Sequence, residues 1–105
     1  MADTTDRTPL SAEKLSPALA TLPGWTASVG YLEKTYRCRN FRAAIELIAA
    51  VVDDCEALDH HPEIRNVYRQ TTFALTTHSA GNQITPLDVA LAARIEARAA
   101  PFVAT

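Results

Sequence analysis

The chain has 105 residues, of which 48% are hydrophobic and 21% charged, and this composition fits one soluble globular domain with a single core. The formal net charge of −2 and the scattered arginines exclude the clustered positive charge that nucleic-acid binding requires, and no apolar run approaches the roughly 20 residues of a membrane span. The two cysteines, Cys38 and Cys55, are too few for a disulfide framework, so we expect reduced thiols in a cytoplasmic protein.

Capping residues and hydrophobic alternation predict the order of the elements. Ser11 and Asn40 precede helical patterns as N-caps, and Thr85 does so with a proline at the first helical position. Alternating apolar and polar residues predict strands, with glycine or polar pairs as turns between them. We predict a flexible tail over 1–9 and one domain over 10–105. In chain order the domain is predicted to contain a helix over 11–20, an extended piece that begins at 25, a strand over 31–39 and a long helix from 41. Strands over 64–68 and 71–78 follow, and then a last helix from 86 that Pro101 ends.

Two strands have a face that suits a core. Leu32, Tyr36 and Cys38 alternate along the first, although Lys34 falls on the same face and breaks the pattern. Phe73 and Leu75 give the last strand its apolar face. With connections this short we predict the α+β class, a four-stranded antiparallel sheet with helices packed on one face.

The long helix after Asn40 is predicted to be the central buried element. At 100° per residue its apolar residues fall within an arc of roughly 140°, and Asp53 and Asp54 lie outside that arc. The arc comprises Phe41, Ala44, Ile45, Ile48, Val51, Val52, Cys55 and Leu58.

All three histidines lie at predicted element ends. His60 and His61 follow the long helix where Pro62 prevents it from continuing, and His78 ends a strand. Adjacent side chains on a regular helix point about 100° apart, so we expect the break at the proline to let the two imidazoles converge. Because histidine titrates nearest to physiological pH, such a cluster is suited to proton transfer.

Two other interpretations of these residues stay open. Three imidazoles could bind zinc, but ligand pairs on a helix normally stand three or four residues apart, so we predict no metal. The adjacent histidine pair could instead be a polar helix C-cap, with His78 a strand-end residue in contact with solvent. Glu56 and Asp59 could be solvated charges, and Asp88 could serve only the helix N-terminus that it follows.

The same residues match a known family in type and spacing. Glu56-x-x-x-His60-His61-Pro62, followed by Tyr68, His78 and Asp88, resembles the signature of the pterin-4a-carbinolamine dehydratases. Further stretches over residues 9–98 are similar as well, among them Gly24-Trp25 and Leu75-Thr76-Thr77-His78. One position departs from the pattern, since Ala57 stands where many members have lysine.

The resemblance implies a hydro-lyase that removes water from 4a-hydroxytetrahydrobiopterin and gives quinonoid dihydrobiopterin. This reaction recycles tetrahydrobiopterin for aromatic amino-acid hydroxylases and needs no metal or organic cofactor. The resemblance also implies a homodimer or homotetramer, and the antiparallel sheet with helices on one side that the residue patterns predict.

Residue roles follow from the same resemblance. His60 and His78 would form the acid–base pair and His61 would hold the pterin, with Glu56 or Asp59 orienting an imidazole. Asp88 would support the site. The pterin pocket would be lined by Asp59, His60, His61, Thr76, Thr77, His78 and Ser79.

The competing interpretation is a binding module. Some animal members of the family also act as dimerisation cofactors of a homeodomain transcription factor, through a helix surface and not through the histidines. A protein with that role alone would tolerate loss of its histidines. This chain has all three at the family spacing, which favours the enzyme.

Overall fold

The computed structural model describes residues 6–104, so most of the predicted tail over 1–9 lies outside the described residues. Residues 6–9 have no regular secondary structure. The chain is tied to the domain at Leu10, whose N–H donates to the carbonyl of Ile84 at 2.8 Å.

The described residues form the predicted sequence of helices and strands. The Oδ1 of Asn40 accepts from the N–H of Ala43 at 2.8 Å, and the Oγ of Ser11 accepts from Lys14 at 3.3 Å, which confirms both N-caps. The elements are α1 (Ala12–Ala20), β1 (Thr26–Ser28), β2 (Tyr31–Arg37), α2 (Phe41–Leu58), β3 (Glu63–Val67), β4 (Gln70–Leu75), a 3₁₀ turn (His78–Ala80) and α3 (Pro86–Ala99).

The four strands form one antiparallel sheet in the order β1-β2-β4-β3. Leu32 of β2 pairs with Leu75 of β4, and both are fully buried with Phe73 under the helices. Helix α2 packs on β4, α3 packs on β2, and the two helices contact each other. This arrangement confirms the predicted α+β class. Both cysteines are buried and free, as predicted.

Two strands end earlier in the structure than the sequence predicts. β2 ends at Arg37, and Cys38 continues only as an isolated bridge to Val103. β4 ends at Leu75, after which Thr77 forms a single bridge with Gln83 and the chain enters the 3₁₀ turn. His78 is therefore the first residue of a turn and does not end a strand. The hairpin turn between β3 and β4 also lies one residue earlier than predicted, at residues 68–69.

The buried face of α2 is narrower than the predicted arc and is rotated relative to it. Phe41, Ile45 and Val52 were expected in the core but are 58%, 43% and 47% exposed. Asp54 was expected outside but is buried, because Arg98 reaches across from α3 and donates from Nε to its Oδ2 at 2.9 Å. Contact with α3 thus decides which flank of the helix is covered.

Candidate active site

The histidine pair leaves α2 through a left-handed residue. The helix ends at Leu58, and Asp59 has φ 49° and ψ 49°. The N–H of His60 then donates back to the carbonyl of Cys55 at 3.0 Å, as at helix ends of the Schellman type. The turn therefore occurs at Asp59, so its prediction at Pro62 was too late. Aspartate tolerates this backbone conformation better than most side chains do.

The turn brings the three histidines together around one cavity of about 560 Å³. This volume lies in the range of roughly 300–1,000 Å³ that small-molecule sites have. The 3₁₀ turn after β4 supplies His78 and Ser79 to the lining of this cavity. The lining residues are Arg7, Asp59, His60, His61, His78 and Ser79.

His60 is the buried member of the cluster and pairs with Asp88. Its side chain is only 7% exposed, and its Nε2 lies 2.5 Å from Oδ1 of the fully buried Asp88. The second carboxylate oxygen, Oδ2, accepts from the N–H of Thr85 at 2.9 Å and from the hydroxyl of Thr77 at 2.8 Å. One carboxylate at the start of α3 thus holds an imidazole from the end of α2.

The contacts of Asp88 fix the tautomer of His60. A carboxylate only accepts hydrogen bonds, so the proton between the two side chains belongs to Nε2. Among the described residues no hydrogen bond reaches Nδ1 of His60, and no buried side-chain nitrogen or oxygen in that part of the chain lacks a partner. Nδ1 is therefore not completely enclosed and keeps some contact with solvent. Because His60 lines the cavity, Nδ1 is the nitrogen that a bound molecule would meet.

His61 and His78 are exposed and are held more weakly. Nε2 of His61 lies 3.8 Å from Oε2 of Glu56, with both side chains more than half exposed, so solvent screens this pair. Nδ1 of His78 lies 2.7 Å from Oδ1 of Asn82. An amide oxygen accepts, so His78 donates from Nδ1 and its Nε2 has the free lone pair.

Comparison with known proteins shows the family. A model of the family described as pterin 4 alpha carbinolamine dehydratase matches residues 8–98. This chain belongs to that family. A relative of that name from Opitutus terrae is 43% identical, covering 83% of this chain and 90% of the relative. Another from Streptomyces coelicolor is 41% identical over 88% of this chain and 91% of the relative.

The fold of this chain is similar to that of a solved structure. The chain superposes on a crystal structure described as a transcriptional coactivator/pterin dehydratase from Brucella melitensis with a TM-score of 0.82. The two proteins are 32% identical, and the match covers 88% of this chain and 99% of the other.

Of the other predicted residues of this pterin dehydratase family member, some line the cavity and others are buried away from its surface. Asp59 and Ser79 line the cavity. Thr76 and Thr77 are buried, and neither is among the lining residues. The hydroxyl of Thr76 donates to the carbonyl of Gly30 at 2.7 Å, whereas that of Thr77 donates to Asp88.

Sequence reasoning missed Arg7 and Asn82. Arg7 lies in a polar segment before α1, next to the first residue that the pterin dehydratase model matches, and only the folded chain brings it to the cavity. Asn82 follows Gly81 in what reads as an ordinary loop. Its spacing of four residues from His78 is the one signal that could have suggested the contact.

Residues 6–104 contain neither a cluster of metal-binding side chains nor a membrane-spanning helix. In that range no group of three or more His, Cys, Asp or Glu side chains is arranged to hold a metal ion. No helix in the same range is long and apolar enough to cross a membrane.

Proposed function

We propose that this chain removes water from 4a-hydroxytetrahydrobiopterin and that His60 and His78 transfer the two protons of the reaction. Membership of a family of hydro-lyases supports the dehydration of a pterin carbinolamine. The observation that carries the assignment to this site is the buried His60–Asp88 pair, which opens onto the same cavity as His61 and His78.

The reaction requires two proton transfers and no electron transfer. The C4a–O bond breaks and the hydroxyl leaves as water after it accepts a proton. The neighbouring ring nitrogen loses its proton, and its electron pair forms the C=N bond of quinonoid dihydrobiopterin. No oxidant or reductant is needed, so the residues must supply only an acid, a base and a binding site, and each proton transfer contributes on the order of 10²–10⁴-fold.

His60 is suited to the role of base. Its Nε2–H is bound to Asp88, so the lone pair of Nδ1 is available to accept the proton of the pterin nitrogen. The imidazolium that forms is then stabilised by a carboxylate at 2.5 Å, as in the serine hydrolases but with the two ring nitrogens exchanged. This pairing explains how a charged imidazole can form in a buried position.

His78 is suited to the role of acid. It is exposed, so its Nε2 can take a proton from solvent between turnovers and give it to the departing hydroxyl. Asn82 fixes the ring through Nδ1, where its amide oxygen accepts from both the neutral and the protonated imidazole. The two histidines thus offer opposite ring nitrogens to the substrate, Nδ1 from His60 and Nε2 from His78.

The remaining lining residues would bind the pterin. His61, with Glu56 beside it, would hold the pterin and the leaving hydroxyl. Asp59 and Ser79 offer hydrogen-bonding groups for the ring edge, and Arg7 offers a planar cation that can stack on the ring or donate to its oxygen.

The family resemblance supports a proposal for the cellular role. We place the reaction in tetrahydrobiopterin recycling beside an aromatic amino-acid hydroxylase, in the cytoplasm and without a cofactor. We also propose a homodimer or homotetramer. Phe41, Ile45 and Val52 support it, because they leave an apolar stripe on α2 that a second copy of the chain would cover.

A direct assay tests the function. An aromatic amino-acid hydroxylase generates the 4a-hydroxytetrahydropterin, and stopped-flow absorbance follows its decay with and without this protein. We expect decay much faster than the spontaneous reaction. A variant that carries both His60→Ala and His78→Ala is the matched control. If the wild-type chain accelerates decay no more than this control, the catalytic role is wrong, and a binding module becomes the better interpretation.

A further inference from the structure

Thr77 lies behind the cavity and is joined to the partners of both proposed catalytic histidines. Its side chain is fully buried, and its hydroxyl lies 2.8 Å from Oδ2 of Asp88 and 2.8 Å from the hydroxyl of Thr85. Its carbonyl accepts from the N–H of Asn82 at 3.1 Å, and its own N–H donates to the carbonyl of Gln83 at 3.0 Å. The side chain thus contacts the partner of His60, and the backbone contacts the partner of His78.

The donors and acceptors along Thr85, Thr77 and Asp88 can be assigned, because the carboxylate of Asp88 at one end can only accept. Asp88 only accepts, so the hydroxyl proton of Thr77 points to Oδ2. The oxygen of Thr77 is then free to accept, and Thr85 donates to it. The result is a one-way chain from Thr85 through Thr77 to Asp88, with the Nε2–H of His60 at the other carboxylate oxygen.

Helix capping does not account for the hydroxyl of Thr77. The N–H of Thr85 already donates to Oδ2 at 2.9 Å, which is the contact that a carboxylate at the third helical position makes. Thr77 comes from the segment between β4 and the 3₁₀ turn, outside α3. A valine of nearly the same shape would fill its space without the hydrogen bond.

We infer that Thr77 is a positioning residue for the proposed dehydration. Its hydroxyl holds the carboxylate of Asp88 in the orientation that directs Oδ1 at His60, and so it fixes the imidazole through Asp88. Thr77 is fully buried and is not among the residues that line the cavity, so we assign it this role in place of the direct pterin contact expected of it. The inference rests on the proposed function for its kinetic consequence, but the hydrogen-bond arrangement can be tested separately.

The experiment compares four single variants and one double variant of the full chain. Thr77→Val removes the hydroxyl and Thr77→Ser retains it. Thr71→Val is the matched control, because Thr71 is equally buried on β4 but donates to Asn66 at 2.6 Å, away from the cavity. Asp88→Asn, alone and combined with Thr77→Val, tests whether Thr77 acts through the carboxylate.

We expect Thr77→Val to lower kcat roughly tenfold with KM within about twofold, because a hydrogen bond to a charged group is lost. Thr77→Ser should remain near wild type. In the Asp88→Asn background Thr77→Val should have little further effect on kcat, since residues that act through one another are not additive. Thr71→Val should lower Tm with unchanged kcat.

Other results would overturn the inference. A Thr77→Val protein with wild-type kcat and a Tm as low as that of Thr71→Val would show a merely structural hydroxyl. If Thr77→Val lowers kcat equally in the wild-type and the Asp88→Asn backgrounds, Thr77 does not act through the carboxylate of Asp88. If Thr77→Val does not fold, Thr77→Cys replaces it, because a thiol is a weak donor of similar size. An intermediate loss of kcat is then expected, and no loss overturns the inference.

A spectroscopic readout separates this inference from the proposed function. The proton between His60 and Asp88 is expected to give a downfield NMR signal, because the hydrogen bond is short and charge-assisted. That signal should shift in Thr77→Val and stay in place in Thr77→Ser and Thr71→Val. A shift without any dehydration activity would support the positioning contact and reject the proposed function. An unchanged signal in Thr77→Val, in a protein whose wild type is fully active, would reject the positioning contact and support the proposed function.

Discussion

His60 and Asp88 are 28 residues apart in the chain, yet Nε2 of one lies 2.5 Å from Oδ1 of the other. The two oxygens of the carboxylate have different tasks. Oδ2 accepts from the N–H of Thr85 at the start of α3, as expected of an acidic residue in the first turn of a helix. Oδ1 accepts from the imidazole. The capping contact and the contact with His60 are therefore both present, and neither excludes the other.

This double role predicts that Asp88→Asn affects turnover as well as stability. An amide offers one acceptor oxygen and one donor nitrogen, so it cannot accept from both His60 and the α3 N-terminus. We expect kcat to fall on the order of 10²-fold or more, in addition to the roughly 0.5–2 kcal/mol that a lost cap costs. Steady-state kinetics and thermal melts measure the two effects. A lowered Tm with full turnover would mean that Asp88 serves only as a cap.

Replacing His60 or His78 by alanine should lower kcat by about 10²-fold in both cases, since each would remove a proton-transfer group. The stability effects should differ. His60→Ala leaves the buried carboxylate of Asp88 without one of its partners, at a cost of about 1–3 kcal/mol. His78 is exposed, so its replacement should leave Tm nearly unchanged. Near-full turnover in both variants would contradict the acid–base mechanism.

His61→Ala is expected to act on binding more than on chemistry. The imidazole lines the cavity and is largely exposed, with only a screened contact to Glu56. KM should rise more than kcat falls, and Tm should stay close to wild type. Kinetics over a range of pterin concentrations separate the two parameters. A loss of kcat as large as that of His60→Ala would give His61 a share in proton transfer.

Local patterns predicted the elements and the histidine cluster but not the contacts between elements. Asn40 shows why caps are predictable, because its partner Ala43 is only three residues away. Lys34 shows the limit. It seemed to spoil the buried face of β2, but its ammonium reaches Glu96 on α3 at 2.8 Å and the carbonyl of Pro23 at 2.7 Å. Asp54 is likewise buried through an ion pair with a distant residue, Arg98, which lies 44 residues further along the chain. A local pattern could not predict that contact.

The carboxylate that receives Lys34 predicts an acid-sensitive part of the fold. One oxygen of Glu96 accepts from Lys34, from the hydroxyl of Tyr36 at 2.5 Å and from the indole of Trp25 at 3.1 Å. Burial raises the pKa of the Glu96 carboxyl, but the hydrogen bonds from Lys34, Tyr36 and Trp25 outweigh burial and hold this pKa below its usual value. A lowered folded-state pKa stabilises the fold above the unfolded pKa of about 4.3, and this contribution is lost as the pH falls through the folded value.

Thermal melts of Glu96→Gln between pH 3 and pH 7 test this. The Tm difference from wild type should be largest above about pH 5 and should shrink towards pH 3, because the wild-type carboxylate becomes protonated there. Glu33→Gln is the matched control, on the exposed face of β2, and should show no such trend. A Tm difference for Glu96→Gln that is constant over the whole range would contradict the lowered pKa of Glu96.

The last prediction concerns the apolar stripe of α2. Phe41, Ile45 and Val52 would remain in water in a monomer, whereas a second chain packed on this face would bury them. We therefore expect light scattering to show a dimer or larger assembly at micromolar concentration. Ile45→Asp with Val52→Asp should shift it towards monomer, because two charges would then be buried without partners. Val29→Asp is the control, since Val29 is 96% exposed in the turn between β1 and β2, and this variant should assemble as wild type does. A wild-type monomer, or an assembly that both aspartates leave intact, would contradict an interface on this face.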